Sequence, residues 1–236
     1  MKNIALIGAS GGIGAGFIRQ LLRQQAEAHI YALSRSAVAY DDSRVTALSI
    51  DITDEISVEA AAQAIDRPLD LVLIATGLLH DEHMMPEKAV RDICRHNFMR
   101  SYEVNAVGPA LVGKYFLPLM RKDVRAVFAV LSARVGSVSD NKAGGWYAYR
   151  ASKAALNMVL KNFAIEMGRR HKDLIIAALQ PGTVDTELSK PFQGNVADEK
   201  LFTADFSAGA LLDVLEGLTP ADSGGLFDWQ GQKIDP

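Results

Sequence analysis

The sequence predicts an α/β fold: one doubly wound parallel sheet covered on both faces by helices. Three observations predict it. Short, nearly continuous apolar runs recur at residues 3–7, 28–33, 45–50, 69–75, 124–131 and 174–179, the pattern of strands buried on both faces. Stretches with apolar residues at helical spacing separate most of them, so strand and helix alternate, which argues for a parallel sheet. The first run also breaks into a glycine turn, Gly8-Ala9-Ser10-Gly11-Gly12-Ile13-Gly14, from which a helical pattern starts.

Bulk properties bound the rest. The 236 residues suit one large domain spanning 1–236, with no internal repeat, low-complexity tract or linker. Hydrophobic residues at 49% and charged residues at 22% allow a full core without staples. Lys plus Arg number 25 against 28 Asp plus Glu, a net charge of −3, so no basic excess argues for nucleic acid or an anionic membrane as partner. The one cysteine, Cys94, cannot close an internal disulfide, which fits a reducing compartment and a cytoplasmic location. No apolar run approaches the ~18 residues that span a bilayer. The run at 3–7 stops at Gly8 without a cleavage site and reads as a strand rather than a signal peptide.

In chain order, strand 3–7 enters the glycine turn, and Ile13, Phe17 and Leu21, with Ile18 and Leu22 beside them, form the apolar stripe of the helix that follows. Strand, glycine turn, helix is the context in which a glycine fingerprint binds a dinucleotide. Glycines let the backbone approach a pyrophosphate seated on the positive end of the helix. The spacing is Gly8, Gly12, Gly14, not the G-x-G-x-x-G of the best-known binders. Strand 28–33 ends in Ser34-Arg35-Ser36, with no acid at that point. An acid there would serve the ribose 2′-hydroxyl of NAD, whereas an arginine suits the 2′-phosphate of NADP, so NADP is favoured.

Strand 45–50 closes with Asp51, Ile52 and Thr53-Asp54, a plausible helix N-cap. Strand 69–75 ends in Ala75-Thr76-Gly77, and a glycine at that sheet edge would let a cofactor pass close by. His80-Asp81-Glu82-His83 has metal-ligating residue types but no good single-face pairing, and reads as a polar loop. A long helical stretch is expected over 87–120, bent near Gly108-Pro109. Asn105, off its apolar stripe, reads from the residues alone as an exposed polar side chain.

Strand 124–131 ends in Ser132-Ala133-Arg134-Val135-Gly136-Ser137, and a loop through Gly144-Gly145 leads into Trp146-Tyr147-Ala148-Tyr149-Arg150-Ala151-Ser152-Lys153. On a helix, Tyr149 and Lys153 stand one turn apart on one face. A nearby cation lowers a phenol's pKa from about 10, so such a pair can exchange a proton with a carbonyl or alcohol oxygen. Strand 174–179 gives way to Pro181-Gly182-Thr183-Val184-Asp185-Thr186, and the polar stretch 187–200 reads as a mobile flap over a substrate. Trp146 and Phe202 are equally candidates for substrate walls and for core. A helix over 206–218 and a strand over 225–229 finish the chain.

Together these residues resemble the short-chain dehydrogenase/reductase family. The glycine turn, Asp51, Gly77, Asn105, the Tyr149/Lys153 pair and Pro181-Gly182 come in the family's order over nearly the whole chain. The stretch from Arg134 to Lys153 looks like the C-factor and carbonyl-reductase-like subgroup. The resemblance implies a Rossmann-type domain with a seven-stranded parallel sheet, and homodimers or homotetramers. It implies Tyr149 as acid/base, Lys153 as the group that tunes it and holds the nicotinamide ribose, and Asn105 as support for a relay water. Gly8, Gly12, Ile13 and Gly14 would form the cofactor turn. Ser10 and Arg35 would meet the 2′-phosphate side of NADP, Asp51 and Ile52 the adenine, and Ala75 and Gly77 the cofactor's flank. Pro181, Gly182, Val184 and Thr186 would lie at the nicotinamide end.

Two departures stand out. The family's serine, the second of a Ser-Ser pair, falls on Ala133, which leaves Ser132 or the loop residue Ser137 as candidate substitutes. The usual Asn-Ala-Gly reads Ala75-Thr76-Gly77. The expected function is NADPH-dependent reduction of a small-molecule carbonyl (aldehyde, ketone or quinone). The alternative is a non-enzymatic NADP-binding sensor on the same fold, which Ala133 motivates.

Overall fold

The computed structural model describes residues 1–36, 38–122 and 124–236. Its strands are β1 (Asn3–Ile7), β2 (His29–Ser34), β3 (Val45–Ser49), β4 (Leu71–Ile74), β5 (Ala126–Leu131), β6 (Leu174–Gln180), β7 (Thr183–Val184), β8 (Leu201–Phe202), β9 (Gly225–Asp228) and β10 (Lys233–Ile234). Its α-helices are α1 (Gly12–Gln24), α2 (Glu55–Gln63), α3 (Arg95–Tyr102), α4 (Gly108–Phe116), α5 (Tyr147–Met167) and α6 (Ala204–Gly217).

The main sheet runs β10-β9-β6-β5-β4-β1-β2-β3. Seven of these strands are parallel, as expected, and β10 adds an antiparallel edge of two residues. After β3 the chain crosses back to the other side of β1 to lay down β4. That reversal opens a crevice beyond the carboxyl ends of β1 and β4, where open α/β sheets bind ligands.

Strand alternation divides the core in two. Ala5 and Ile7 of β1 face one layer with Val112 and Phe116 of α4 and Leu156 and Leu160 of α5. Ile4 and Leu6 face the other, with Phe17 and Leu21 of α1 and Leu211 and Leu215 of α6. No helix among the described residues is long and apolar enough to cross a membrane.

The helix expected over 87–120 is corrected. Before α3 there is only a 3-10 turn, Val90–Asp92, where the Asp92 carboxylate accepts from the Ala89 N–H at 2.9 Å; such local bonds compete with helix. Near Gly108-Pro109 the helix carries a π-helical turn, Glu103–Val107. Pro109 has no N–H to offer the carbonyl of Asn105, so the helix loosens one turn upstream of the proline. The paired strands β7 and β8 and the edge strand β10 were too short to be read as periodic.

Helices α4 and α5 pack closely because Gly113 has no side chain. A Cβ there would meet the Phe163 ring at 2.3 and 2.5 Å. Overpacking of this kind costs about 1–3 kcal/mol, so Gly113→Ala is expected to melt several degrees lower than the wild type. Gly217→Ala, beside which nothing lies within 4 Å, is expected not to. Equal thermal melts for Gly113→Ala and the wild type would show slack between the helices.

Candidate active site

The glycine turn closes by backbone contact. Gly8 has φ +89°, and a Cβ on it would stand 3.0 Å from the backbone of Ala75 and Thr76 at the end of β4. A Cβ on Gly14 would stand 2.1 Å from the Gly8 carbonyl oxygen. Only hydrogens fit at both places. The Gly8 and Ala9 N–H groups both donate to the Leu33 carbonyl, at 2.8 and 3.1 Å, which ties the turn to β2. No side chain caps α1 and its first turn carries no acid, so the positive end of the helix is left for another anion.

A cleft runs from this turn across the sheet edge. Gly8, Ser10, Arg35, Asp51, Ile52, Ala75 and Gly77 line it together. Asp51 accepts from the Thr53 N–H at 2.9 Å and the Thr53 hydroxyl at 2.7 Å. Those bonds, with help from the Arg35 and Arg100 charges, hold its carboxyl below the usual range. The Thr76 hydroxyl, also in the lining, is buried without a partner, a polar group that a bound ligand would satisfy. These features fit a dinucleotide. Sequence reasoning missed Arg100 and Thr53. Arg100 comes from α3 and had no local signal, whereas Asp51-x-Thr53 is a short-range turn pattern that could have been read.

The chemistry-bearing end lies where α5 crosses the edge of β5. Tyr149 is 9% exposed and Lys153 3%. The Lys153 ammonium donates to the Leu131 carbonyl at 2.9 Å and lies 5.9 Å from the Tyr149 ring centroid. A Cβ on Gly77 would stand 3.7 Å from that ammonium and 3.8 Å from Asn105 Oδ1, so the end of β4, the π turn and α5 converge. Asn105 is buried, not exposed. Its Oδ1 accepts from the Leu78 N–H at 2.8 Å, and its amide donates to the Leu78 carbonyl at 2.8 Å and the Ser152 hydroxyl at 3.0 Å. It clamps the segment after Gly77 to the helix of Tyr149.

The candidate serines are engaged elsewhere. The Ser132 hydroxyl donates to Asn157 Oδ1 at 2.7 Å, and the Ser137 hydroxyl to the Asp235 carbonyl at 2.5 Å. Thr186 closes over the glycine turn, with a methyl 2.6 Å from where a Gly12 Cβ would be. Gly182, at φ +77°, packs under Phe202 and Trp229. The Pro181 carbonyl accepts from Ser207 at 2.8 Å, Val184 is buried, and Ile13 packs on the α1 side of the core. Phe202 belongs to a separate ring cluster with Phe206 and Trp229.

The short chain dehydrogenase family model matches residues 2–196. The chain belongs to that family. It is 34% identical over 146 residues to the C-signal of Myxococcus xanthus, covering 62% of this chain and 82% of the relative. It is 30% identical over 227 residues to a 1-hydroxy-2-glutathionyl-2-methyl-3-butene dehydrogenase of Rhodococcus sp. (strain AD45), covering 95% of each chain. An NADPH-bound carbonyl reductase from chicken fatty liver shares the fold, with a TM-score of 0.83 at 24% identity over 100% of this chain and 99% of that one. As a short-chain dehydrogenase it is an oxidoreductase.

Burial sets the proton affinities of its central pair. The Tyr149 phenol is pushed up to about 12 and the Lys153 ammonium is pulled down to about 8. The expectation that the phenol's pKa is lowered is thus corrected: its direction is set by the loss of water on burial. The lysine also carries a stability consequence. With a folded pKa of about 8 against the ordinary lysine value of 10.5, the unfolded chain binds more protons between these pH values, so stability rises with pH across that window. Below about pH 8 the penalty is fully present, at most about 3 kcal/mol. Lys153→Met is accordingly expected to melt higher than the wild type at pH 7, the gap narrowing toward pH 10.5. A variant less stable at pH 7 would show that the bond to Leu131 outweighs the buried charge.

Proposed function

We propose that this oxidoreductase uses NADPH to reduce the carbonyl of a small molecule, an aldehyde, ketone or quinone, to an alcohol. The observation that carries the reading is the convergence of buried Tyr149 and Lys153 with Gly77 and Asn105 at the sheet edge beside an uncapped glycine turn. When bound, the nicotinamide supplies the hydride. The protein supplies position and a proton. A phenol pushed up to about 12 stays protonated at neutral pH, so Tyr149 is the acid that delivers a proton to the carbonyl oxygen. Lys153 holds the nicotinamide ribose, Asp51 and Ile52 the adenine, and Val184 and Thr186 the far end of the cofactor.

The preference for NADP rests on Arg35, which follows β2 where no acid stands, with Ser10 facing the same cleft. The NADPH of the chicken enzyme supports it. A cytoplasmic location fits the single free cysteine. Exposed Met99 on α3, Val107 on the π turn, and Met158 and Ile165 on α5 support a homodimer or homotetramer. A non-catalytic NADP-binding role is the second reading, and Ala133 favours it, because no hydroxyl stands where the family places one.

NADPH oxidation against a panel of carbonyl compounds, with NADH in parallel, tests the reading. Tyr149→Phe is expected to lower kcat by about 10²–10⁴ while NADPH still raises the melting temperature. Full turnover by that variant would remove Tyr149 from the mechanism, and no turnover by the wild type would favour the sensor.

Arg35→Ala removes a charge-assisted contact to phosphate. It is expected to raise KM for NADPH by about 10- to 100-fold and to leave KM for NADH unchanged. Equal effects on the two cofactors would exclude Arg35 from phosphate recognition.

A further inference from the structure

Trp146 is the one non-glycine residue with a left-handed backbone among the described residues, at φ 50°. It follows Gly144 and Gly145, both at φ 64°, so three successive residues run left-handed. A bulky L side chain is strained there. Glu87 holds the strain in place. Its backbone carbonyl accepts from the Trp146 N–H at 2.6 Å. Its carboxylate accepts from the Ala148 N–H, at the start of α5, at 3.1 Å, and from the Asn97 amide at 3.0 Å. Glu87 is 2% exposed, and a buried carboxylate with its partners made is a rigid anchor. Strain that the surroundings over-determine marks a side chain placed for use.

The indole is placed beside the phenol. Trp146 meets Tyr149 edge-on, with centroids 6.1 Å apart, and Phe192 edge-on at 5.0 Å. Phe192 comes from a 3-10 segment, Lys190–Asn195, and its ring meets His80 edge-on at 5.7 Å. His80 Nε2 in turn lies 3.2 Å from the Glu187 carbonyl oxygen. Trp146, Phe192 and His80 are all half-buried, so part of each ring remains open. Lys153 follows Tyr149 by one turn of α5, and Trp146 precedes it by about one turn. The ring wall and the cofactor-side lysine therefore bracket the phenol.

Ala133 makes this wall matter. A carbonyl presented to Tyr149 finds no hydroxyl at position 133, and Ser132 and Ser137 are committed to Asn157 and Asp235. Something other than a second hydrogen bond must fix the plane of the substrate. Edge-to-face and offset packing against fixed rings does so for a flat ring and much less for a puckered one.

We propose that Trp146 and Phe192 are specificity-determining residues that select a carbonyl bearing a planar aromatic ring, their ring contacts standing in for the missing orienting hydroxyl. This rests on the reductase reading above. The test compares kcat/KM for acetophenone and for cyclohexyl methyl ketone, at saturating NADPH. Trp146→Leu and Phe192→Leu are each expected to lower the phenyl-to-cyclohexyl ratio by roughly three- to tenfold; the ketones' intrinsic reactivities cancel in that change. Ala133→Ser is expected to lower the ratio too, by raising turnover of the cyclohexyl ketone. A ratio unchanged in both leucine variants overturns the inference, and Phe192→Leu alone decides it if Trp146→Leu does not fold.

If the wild type turns over neither ketone, the carbonyl panel above decides the reductase reading separately. The wall is then read by binding, from quenching of Trp146 fluorescence in a Trp229→Phe background with NADP present. Tighter binding of 1-phenylethanol than of 1-cyclohexylethanol supports the inference, and equal binding overturns it.

Discussion

The structure of the site depends on one buried ammonium. Lys153 is 3% exposed and its Nζ donates to the carbonyl of Leu131, the last residue of β5. That bond fixes the helix of Tyr149 to the sheet edge from which ligands are approached. Its neighbours are shaped around it. Gly136 has no Cβ because one would stand 2.8 Å from the Lys153 Cβ, so the loop after β5 can lie against α5. Gly77 leaves the space between the ammonium and Asn105 open. Burying a charge with one carbonyl for company opposes folding, and a fold that keeps it there is retaining a donor where a ligand's hydroxyls would complete its hydrogen bonds.

The dinucleotide end answers to a different constraint, close approach of backbone to backbone. The contacts of Gly8 with the end of β4 and of Gly14 with the Gly8 carbonyl exclude side chains outright. The same packing that makes the turn tight leaves the first turn of α1 bare. One steric requirement thus produces both the local fold and a helix end left open to an anion, while Lys153 and Tyr149 lie buried together beside the end of β5.

Much of this was legible in the sequence because its signals are local. Continuous apolar runs marked six of the seven parallel strands, and the spacing Gly8, Gly12, Gly14 marked the turn. Tyr149 and Lys153 lie one helical turn apart, so the spacing alone put them on one face. What escaped was set by contacts distant in sequence. Asn105 looked exposed because nothing near it shows that Leu78 and Ser152 take up its amide. Arg100 joins the cleft through the path of α3. The direction of the phenol's shift was missed because a neighbouring cation is visible in a sequence and the loss of water is not.

Ala133 and Trp146 belong to one argument. On the proposed reductase reading, a site with alanine at position 133 must orient its substrate by other means or be slow. In this chain the residue three before Tyr149 is held in a conformation that tryptophan disfavours, by a glutamate 59 positions earlier whose carboxylate is buried for the purpose. Directional hydrogen bonding constrains an oxygen and its lone pairs, whereas ring packing constrains the plane of the whole acyl group. A site that exchanges the first for the second keeps the alignment of the carbonyl with Tyr149 for flat substrates and gives it up for others. On the proposal that Trp146 and Phe192 orient the substrate, the alanine at position 133 and the left-handed backbone at position 146 are two sides of a single choice of substrate.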